Sequence, residues 1–543
     1  MCGIFGYVGN QNSAANIVFE GLKLLEYRGY DSWGVAVKKD RKLEIDKHVG
    51  KIGDAKVNLP QSSLGIGHTR WATHGGVTVA NAHPHVDCTK SIAVVHNGIV
   101  ENFQDLKDDL IKKGHKFISE TDTEVIPHLV EENLKHEGFS SSVRDAFNKL
   151  KGLNAVVVAN AVSKEMVAAK TGSPLIVGIG NEELFVASDA SAIVKHTKKV
   201  IFLKDNQMVI LGKEIQLLSL PQGKKIEIKP EKIAWNYEVS TKGKFDNFMI
   251  KEIHEQPNVI RNIAENYSSQ IEKLAKDIQK AKGTFFIGAG TAYHAGLFGN
   301  YIFSKIAKKH VNTAPASEFN YLEDFLTKDS LVIALSQSGE TIDVVEPLNR
   351  AKVKGSKIFA ITNTLGSTIY RMADYNMLLN AGVEKAVAST KAYIAKITVI
   401  LMLAYVLNGG LKEIKINLLK AADEIQRLVS DNSVEEIKKI VKVLSKTKNI
   451  YAIGRGASYP TALESALKIK EVSYIPTEGL AGGELKHGTI ALISRGTPCI
   501  VFAPNDETYE SIISNAIEIK SRGGLIIGIS HKNSNSKNKY TYK

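Results

Sequence analysis

A sequence repeat in the second half of the chain is the feature that most constrains the fold. Residues 285–293 resemble residues 451–459 at an offset of 166, and residues 332–341 resemble residues 500–508 at an offset of 167. Each segment has a short apolar run, then small or hydroxyl residues, then a helical pattern, which is typical of parallel α/β sheets. Two segments that agree on nearly one offset indicate a duplicated α/β domain.

The second copy of this repeat is shorter than the first. Beyond residue 363 the first copy continues through a predicted strand at 375–379 and a helix that begins near Ser389. Only residues 531–543 follow the matching point of the second copy, and they have no apolar period. We therefore expect an incomplete second copy, either a shortened reading frame or a naturally short form. Its exposed apolar edge predicts aggregation or marginal stability.

The first half of the chain has a different pattern, in which short β-type runs alternate with turn signals and two amphipathic helix candidates, 15–27 and 102–113. This pattern favours packed sheets flanked by helices. The predicted strands are 4–8, 34–37, 64–67, 91–96, 155–159, 184–187 and 207–211. The predicted domains are 1–220, a polar and basic linker at 221–247, then 248–420 and 430–543.

Composition excludes several classes of protein. The net charge of +13 comes from lysines spread along the chain, without a recognised nucleic-acid motif, so a solvated surface is the preferred interpretation. Cys2, Cys88 and Cys499 are too few and too scattered for a disulfide framework or a metal cluster. The amino terminus lacks the pattern of a secretory signal, and the apolar stretch 397–407 is too short to cross a bilayer. We expect a cytoplasmic protein that binds neither nucleic acid nor membranes.

Cys2 is the first candidate for chemistry. Removal of Met1 would leave Cys2 with a free α-amine of pKa about 7.7–8.0 next to a thiol of pKa about 8.5. Such an amine can serve as the general base that forms the thiolate, so no histidine is needed. An incidental small residue is the alternative interpretation at this point.

Three downstream segments supply groups that an amide-hydrolysing thiolate needs. Asn97 and Gly98 follow a predicted strand and offer a side-chain amide and a backbone N–H to an oxyanion. Arg70 offers a guanidinium for a carboxylate, and Asp122 offers a carboxylate for an ammonium group. A hairpin turn at Asn-Gly and a surface cation–π pair between Arg70 and Trp71 are the alternatives.

Two segments of the second half suggest a sugar-phosphate site. The loop 336–341 lies between a predicted strand and a helix, so its hydroxyls and the helix N-terminus suit a phosphate dianion, and Thr291 adds a hydroxyl. A glycine-rich turn with an N-capping serine is the alternative. Glu464, Lys468 and Glu471 share one helical face, and from spacing alone a solvated, salt-bridged face is the favoured interpretation.

Residues 2–6, 27–32, 67–74, 81–85 and 96–98 resemble the glutaminase domain of the amino-terminal-nucleophile amidotransferases, and the second half resembles a tandem sugar isomerase pair. Over residues 1–530 the chain resembles the glutamine–fructose-6-phosphate aminotransferases. The resemblance implies an αββα glutaminase sandwich followed by two doubly wound α/β sugar isomerase (SIS) domains, the second truncated. It implies a glutamyl thioester on Cys2 and an ammonia channel gated by Trp71. The glutamine-binding residues implied are Arg70, Thr73, His74, His83, Gly98 and Asp122.

For the isomerase half, the resemblance implies that Glu471 moves a proton between C1 and C2 of fructose 6-phosphate, with Lys468 beside it. His487 would help to open the sugar ring and would reach the site of the neighbouring subunit in a homodimer. No metal or organic cofactor is implied. The implied sugar-phosphate-binding residues are Thr291, Ser336, Gln337, Ser338, Thr341, Val387 and Ser389.

Three departures from the family pattern leave alternatives open. Trp33 replaces a small residue and is expected to repack the core, and Ala292 replaces a hydroxyl residue. The family's tail, with its Schiff-base lysine, is absent, and we assign that role to none of Lys537, Lys539 and Lys543. An uncoupled glutaminase or a sugar-phosphate-binding protein is therefore the alternative. A phosphoribosyl-transferring amidotransferase would need an acidic loop that is not found, and a regulatory sensor would not need Cys2.

Overall fold

The computed structural model describes residues 2–233, 242–429 and 431–530. It divides into two compact units, Met1–Glu238 and Val239–Lys543. Lys537, Lys539 and Lys543, and with them the predicted irregular tail, lie outside the described residues. Within these described ranges, no helix combines the length and apolar character that a membrane span requires.

The described part of the first unit contains two antiparallel sheets and four α-helices. Its elements are β1 (Gly3–Gly9), α1 (Ala14–Leu25), β2 (Ser32–Lys39), β3 (Lys42–Val49), β4 (Leu64–Arg70), β5 (His85–Val86), β6 (Ile92–Asn97), α2 (Phe103–Lys112), α3 (Val125–Asn133), α4 (Phe139–Asn148), β7 (Ala155–Asn160), β8 (Glu165–Lys170), β9 (Ile176–Ile179), β10 (Glu183–Ala187), β11 (Lys199–Phe202), β12 (Gln207–Leu211), β13 (Ile215–Ser219), β14 (Lys225–Ile226) and β15 (Glu231–Lys232). One sheet has the order β15-β11-β9-β10-β1-β4-β2-β3 and the other β14-β13-β12-β8-β7-β6-β5.

Alternating side chains build the layers of this unit, because successive residues of a strand face opposite sides of its sheet. In β1, Ile4 joins an apolar core formed by residues of both sheets, whereas Phe5 packs with α1. In β6, Ala93 belongs to the core between the sheets and Val94 packs with α3 and α4. The layers are therefore helix, sheet, sheet, helix, which confirms the predicted αββα sandwich.

Trp33 lies in the core between its sheet and α1, with 2% of its surface exposed. Its ring stacks on His48 at a centroid distance of 4.4 Å and meets Phe19 at 5.3 Å. Trp33 is therefore a core residue of this unit, packed between its sheet and α1. In the stretch interpreted as a linker, β14 and β15 pair with β13 and β11 as short edge strands. Residues 234–241 of that stretch are outside the described part of the chain.

The second unit contains two parallel sheets with helices. Its elements are α5 (Phe248–Asn266), α6 (Ser268–Lys280), β16 (Gly283–Gly288), α7 (Thr291–Ile302), β17 (Asn312–Pro315), α8 (Ala316–Phe319), β18 (Ser330–Ser336), α9 (Ile342–Val353), β19 (Lys357–Thr362), α10 (Thr368–Met372), β20 (Tyr375–Leu378), α11 (Lys391–Leu407), α12 (Leu411–Leu428), α13 (Asp431–Leu444), β21 (Ile450–Gly454), α14 (Ser458–Ser473), β22 (Thr477–Ala481), β23 (Pro498–Ala503), α15 (Tyr509–Ser521) and β24 (Leu525–Ser530).

The two parallel sheets repeat one strand order. The first has the order β17-β16-β18-β19-β20 and the second β22-β21-β23-β24. In each sheet the first strand in sequence is an inner one, the second strand is added on one side of it, and the later strands are added on the other side. Ligands of doubly wound sheets bind outside the carboxyl ends of the two strands where the order reverses. In the first sheet these are β16 and β18, which lead directly into Thr291 and into the loop after Ser336.

Candidate active sites

Cys2 immediately precedes β1, which lies between β10 and β4 in the middle of its sheet. The backbone N–H of Gly3 donates to Thr69 Oγ1 at 3.1 Å, and that of Ile4 donates to Ser188 Oγ at 3.0 Å. A Cβ on Gly3 would come within 2.5 Å of Thr69 Oγ1 and 2.7 Å of Leu25 Cβ. Close packing and two hydrogen bonds therefore fix the backbone directly after Cys2.

The thiol and the carbonyl group of Cys2 both have polar partners. The Trp71 N–H donates to Cys2 Sγ at 3.2 Å, and the thiol lies 3.6 Å from the Trp71 carbonyl oxygen. The Cys2 carbonyl oxygen accepts from Asn97 Nδ2 at 3.0 Å and from Arg28 Nε at 3.2 Å. Arg28 is itself held by a buried ion pair with Asp189 at 3.1 Å. Cys2 is thus oriented by groups from three distant segments.

The surroundings of Cys2 favour its neutral thiol. Burial raises the pKa of this thiol above its ordinary value, although the amino terminus, the Trp71 N–H, Arg70 and Arg28 act in the opposite direction. A thiol with a raised pKa is a weak nucleophile at neutral pH until a base removes its proton. The site therefore needs a base at Cys2, the role that the sequence analysis predicts for the α-amine.

Asn97 ends β6, and Gly98 leads towards α2 rather than into a second strand, so the hairpin alternative is wrong. The Asn97 side chain is anchored at Oδ1, which lies 3.0 Å from His68 Nε2. Gly98 has φ = +133°, and a Cβ there would lie 2.3 Å from the carbonyl oxygen of Leu153. Only glycine fits this position, which leaves the backbone after Asn97 unshielded by a side chain.

Arg70 is buried, and its guanidinium donates to the carbonyl oxygens of His74, Gly75 and Gly76. These contacts fold the segment 71–76 around the arginine. Trp71 is 43% exposed, and its ring meets that of Tyr30 edge-on at 5.1 Å. Among the described residues, the Trp71 ring therefore packs on Tyr30 and does not form the cation–π pair with Arg70 that was the alternative interpretation.

A second set of contacts connects this segment to the one that carries Asp122. Asn81 Nδ2 donates to Gly76 O at 3.0 Å and to Glu120 Oε2 at 2.9 Å, and the Glu120 N–H donates back to Asn81 Oδ1 at 2.9 Å. Asp122 is buried and accepts from the Val100 N–H at 2.7 Å. Asn81 and Glu120 therefore hold together two segments that each carry predicted glutamine-binding residues.

Charge also links the predicted residues. Burial lowers the pKa of Arg70, and the charges of Cys2, Asp31 and Asp122 oppose that shift. Arg70 and Asp122, which are predicted to bind the two charged groups of glutamine, therefore share one electrostatic environment. Asp31, which sequence reasoning missed, accepts from the Ala72 N–H at 2.8 Å.

The other predicted glutamine ligands differ in their surroundings. Thr73 is exposed. His74 has a buried Nδ1 without a hydrogen-bond partner among the described residues, and its ring meets Phe103 edge-on at 6.1 Å. His83 is buried and stacks on His68 at a centroid distance of 4.2 Å. His83 therefore belongs to a group of buried imidazoles, whereas His74 keeps an unused polar atom.

This buried imidazole group predicts instability in acid. Burial lowers the pKa of His68 to about 3 and holds those of His83 and His85 well below the ordinary value. The unfolded chain therefore binds more protons than the folded chain below about pH 6.5, so the stability contributed above that pH is lost as the pH falls. Each such histidine weakens folding by about 1.4 kcal/mol per pH unit.

We expect the first unit to lose about 6 kcal/mol of unfolding free energy between about pH 7.5 and pH 5, about 2 kcal/mol for each of the three histidines. Urea unfolding followed by tryptophan fluorescence measures this loss. The variant His85→Gln should reduce the loss by about one third, because one titrating group is removed. The matched variant His136→Gln changes an exposed histidine and leaves the buried imidazole group intact, so its loss should equal that of the wild type. Equal unfolding free energies of the wild type at the two pH values would contradict the prediction.

In the second unit, the loop after β18 has the predicted hydroxyl groups facing one another. Ser336 Oγ accepts from the Gly339 N–H at 2.9 Å and lies 3.5 Å from Thr341 Oγ1, while Ser338 Oγ accepts from the Glu340 N–H at 3.2 Å. Gly339 has φ = +67°, and a Cβ there would clash with Ser367. The loop is a tight turn at the N-terminus of α9, which suits an anion.

The loop is also connected to the chain beyond the next strand. The Gln337 carbonyl oxygen accepts from the Asn363 N–H at 3.1 Å, and Asn363 Nδ2 donates to Gly382 O at 2.8 Å. The predicted Val387 is 40% exposed, and Ser389 Oγ donates to Glu384 Oε2 at 2.8 Å. Glu384, a buried residue that sequence reasoning missed, fixes the segment that leads into α11.

Side chains of α7, which follows the first strand of one parallel sheet, and of α14, which follows the first strand of the other, form one polar network. Lys468 Nζ lies 2.6 Å from Glu471 Oε2, 2.9 Å from Thr291 Oγ1 and 3.5 Å from Glu464 Oε1. Glu464 also accepts from Thr291 Oγ1 at 3.0 Å and pairs with His294 Nδ1 at 2.8 Å. The predicted helical face of α14 is confirmed, but it contacts α7 rather than forming a solvated surface.

Ala292, the second departure from the family pattern, is buried, so its methyl group lies in the core. The predicted ring-opening residue His487 lies in a short 3₁₀ helix, Glu484–His487, and is exposed. The described chain alone therefore does not bring His487 into the polar network of Thr291, Lys468 and Glu471.

Comparisons with known proteins agree with this division. A model described as glutamine amidotransferase domain matches residues 68–195, and one described as SIS domain matches residues 277–406 and again 443–542. The double match confirms the duplicated domain.

The glutamine–fructose-6-phosphate aminotransferase [isomerizing] of Thermococcus kodakarensis is 41% identical, over 98% of this chain and 90% of that protein. The protein of the same name from Pyrococcus horikoshii is 43% identical, over 97% and 90%. The solved C-terminal domain of glucosamine-fructose-6-phosphate aminotransferase from Francisella tularensis is 31% identical, over 54% of this chain and 86% of that chain, with a TM-score of 0.49.

Proposed function

The chain belongs to the glutamine–fructose-6-phosphate aminotransferase (isomerizing) family, and from that membership we propose how its residues carry out the reaction. It is an amidotransferase that converts glutamine and fructose 6-phosphate into glutamate and glucosamine 6-phosphate. In the proposal, the first unit releases ammonia from glutamine. The second unit adds that ammonia to the C2 carbonyl of the open-chain sugar and isomerises the product.

The observation that carries the glutaminase step is the geometry at Cys2. The proposed sequence begins when the α-amine of Cys2, freed by removal of Met1, takes the thiol proton. The thiolate attacks the glutamine side-chain amide, and the α-ammonium group returns its proton to the nitrogen, which leaves as ammonia. Water then hydrolyses the thioester to glutamate and regenerates the thiol. Support comes from the Trp71 N–H at 3.2 Å from Sγ and from Asn97 Nδ2 at 3.0 Å from the Cys2 carbonyl oxygen. A second N–H of Asn97 and the Gly98 N–H are the proposed oxyanion donors.

We propose that the glutamine backbone groups bind between Arg70 and Asp122. Arg70 would receive the α-carboxylate and Asp122 the α-ammonium group, since each offers the opposite charge. The unpartnered Nδ1 of His74 and the exposed hydroxyl of Thr73 supply further polar contacts in this proposal, and His83 supports the site from below the surface. The partly exposed Trp71 is the proposed gate for ammonia.

For the sugar half, we propose that the loop of Ser336, Gln337, Ser338 and Thr341 binds the phosphate group at the N-terminus of α9. Thr291, Val387 and Ser389 would contact the sugar. Glu471 is the proposed base that moves the proton between C1 and C2, and Lys468, at 2.6 Å from its carboxylate, stabilises the charged form. The position of Thr291 and Ser336 after the two strands where the order reverses supports this assignment.

The experiment that tests the proposed function incubates the purified chain with glutamine, with and without fructose 6-phosphate, and quantifies glutamate and glucosamine 6-phosphate together. Equal amounts of both products in the presence of the sugar support the coupled reaction. Glutamate without glucosamine 6-phosphate would support the uncoupled glutaminase instead. Formation of neither product would contradict both assignments.

We also propose that the chain acts as a homodimer in the cytoplasm, with His487 completing the site of the neighbouring subunit. The exposure of His487 supports this arrangement. Light scattering of the purified chain tests the dimer directly, since a monomer at assay concentration would contradict it.

Mixed dimers test the shared site more sharply. A heterodimer of a His487→Ala chain and a Glu471→Gln chain, isolated with two different affinity tags, retains one site with both groups if His487 acts across the interface. We expect about half of the wild-type synthase activity in the heterodimer, and almost none in either parent homodimer. Failure to recover activity in the heterodimer would show that both groups act within one chain.

A further inference from the structure

Four side chains of the first unit converge on one point, and none of them is among the residues predicted to bind glutamine. Cys88 follows β5, His115 follows α2, and His128 and Glu131 lie one turn apart on α3. One ligand atom from each of the four lies within 4.8 Å of all the others. The residues come from three separate segments, so the cluster exists only in the folded chain.

The distances within the cluster are those of ligands around one ion. Cys88 Sγ lies 3.6 Å from His128 Nδ1 and 3.8 Å from His115 Nδ1. Glu131 Oε2 lies 3.0 Å from His115 Nδ1 and 3.3 Å from His128 Nδ1. Tetrahedral zinc, with bonds of about 2.3 Å to sulfur and about 2.0–2.1 Å to nitrogen, separates sulfur and nitrogen ligands by about 3.5 Å and nitrogen and oxygen ligands by about 3.3 Å.

The outer nitrogen of each imidazole lies on the side of a carboxylate, but of the two only His115 Nε2 is within hydrogen-bond distance of one. His115 Nε2 lies 3.1 Å from Glu132 Oε2, and His128 Nε2 lies 3.8 Å from Glu124 Oε1. A carboxylate behind a histidine holds the proton on that nitrogen and leaves the other nitrogen free to bind a metal. Glu132 therefore orients His115 with its Nδ1 free as a ligand, whereas His128 is assigned as a ligand from the position of its Nδ1 beside Cys88 and Glu131. The backbone N–H of Cys88 also donates to Glu131 Oε2 at 3.1 Å, which orients the carboxylate.

We propose that Cys88, His115, His128 and Glu131 bind one zinc ion in a structural site. A thiolate and a carboxylate balance the charge of a divalent cation, while the sulfur and imidazole ligands favour zinc over magnesium or calcium. Four protein ligands leave no open position for a reacting water, which is typical of structural zinc. His115 and His128 are buried, whereas Cys88 is exposed and gives the ion a path of entry.

The ion would connect the turn after β5 to the segment between α2 and α3. That segment carries Glu120, which hydrogen-bonds Asn81, and Asp122, the proposed partner of the glutamine ammonium group. Zinc therefore stabilises the part of the first unit that presents Asp122, without contacting the reacting atoms. Loss of the ion is expected to lower thermal stability before it changes the chemistry at Cys2.

The test begins with the full chain after treatment with a chelator and measures binding of Zn²⁺ by calorimetry and metal content by mass spectrometry. We expect one zinc per chain, and an absorption band from thiolate to cobalt when Co²⁺ replaces Zn²⁺. Cys88→Ser should remove the cobalt band and weaken zinc binding by at least about 100-fold. The matched variant His48→Gln changes a histidine that pairs with Asp46 outside the cluster and should bind zinc as the wild type does.

Glu132→Gln keeps all four ligands and is the second variant, in case Cys88→Ser does not fold. We expect it to weaken zinc binding by about 10- to 100-fold, because it removes only the carboxylate behind His115. Zinc at 100 times its dissociation constant should raise the wild-type melting temperature by about 5 °C or more. Absence of stoichiometric binding by the wild type, or equal binding by the wild type, Cys88→Ser and Glu132→Gln, would overturn the proposal.

Discussion

Replacing Cys2 with alanine is expected to reduce the formation of glutamate from glutamine by at least about 10⁴-fold. Alanine removes the sulfur atom that accepts the Trp71 N–H, and no thioester can then form at residue 2. Because burial raises the pKa of this thiol, the proposed base at the α-amine is needed for the same step. A blocked amine, as in a chain that retains Met1, should therefore also be strongly impaired.

Two measurements separate loss of the nucleophile from loss of the fold. The Cys2→Ala chain should bind fructose 6-phosphate with wild-type affinity in calorimetry, since the proposed sugar-binding residues lie in the second unit. Cys2→Ser supplies a matched control that keeps the geometry but offers a poorer nucleophile, so its rate should lie between those of the alanine variant and the wild type. Glutamate formation within tenfold of wild type in the alanine variant would place the nucleophile elsewhere.

The repeat predicted the architecture of the second half because the signal is local. A short apolar strand, a turn and a helix follow one another in sequence, and the strand that follows is usually a neighbour in the sheet. The same reasoning could not predict the strand order of the first unit. There β1 pairs with β10, which lies about 180 residues away, and with β4, and no local pattern encodes that choice.

The candidate sites divide in the same way. Cys2 could be predicted from the sequence because it lies next to the amino terminus. The shared face of Glu464, Lys468 and Glu471 could be predicted because the three residues have helical spacing. The contact of that face with Thr291 could not be predicted, since α7 and α14 are far apart in the sequence and meet only in the folded chain.

Charged residues that hold the site in place were missed for a related reason. Buried Arg28 hydrogen-bonds the carbonyl oxygen of Cys2, and buried Glu384 accepts a hydrogen bond from Ser389. The sequence does not distinguish a buried charged residue of this kind from one on the surface. An arginine within the motif 27–32 was a signal that could have identified Arg28. The cluster around Cys88 was missed because counting cysteines ignores the histidines and carboxylates that folding brings to one of them.

Replacing Glu471 with glutamine is expected to reduce glucosamine 6-phosphate formation by about 10²- to 10⁴-fold while glutamate formation continues. The amide has nearly the shape of the carboxylate but cannot accept a proton from the sugar. Lys468 would keep its contact with Thr291 at 2.9 Å, so the network between α7 and α14 should persist. The change therefore isolates proton transfer from folding more cleanly than removal of Lys468 would.

The decisive measurement for Glu471 is exchange of the sugar proton with solvent. In deuterated water, the wild type should incorporate deuterium at C1 or C2 of the sugar phosphate, observed by nuclear magnetic resonance, and Glu471→Gln should not. Glu478→Gln is the matched control, because Glu478 is exposed on β22 and has no assigned role. Because exchange reports the proton transfer itself, wild-type exchange in Glu471→Gln would assign the base to another residue even if the overall synthesis were slow. Loss of exchange together with unchanged glutamate formation would establish that the two halves of the reaction depend on separate residues.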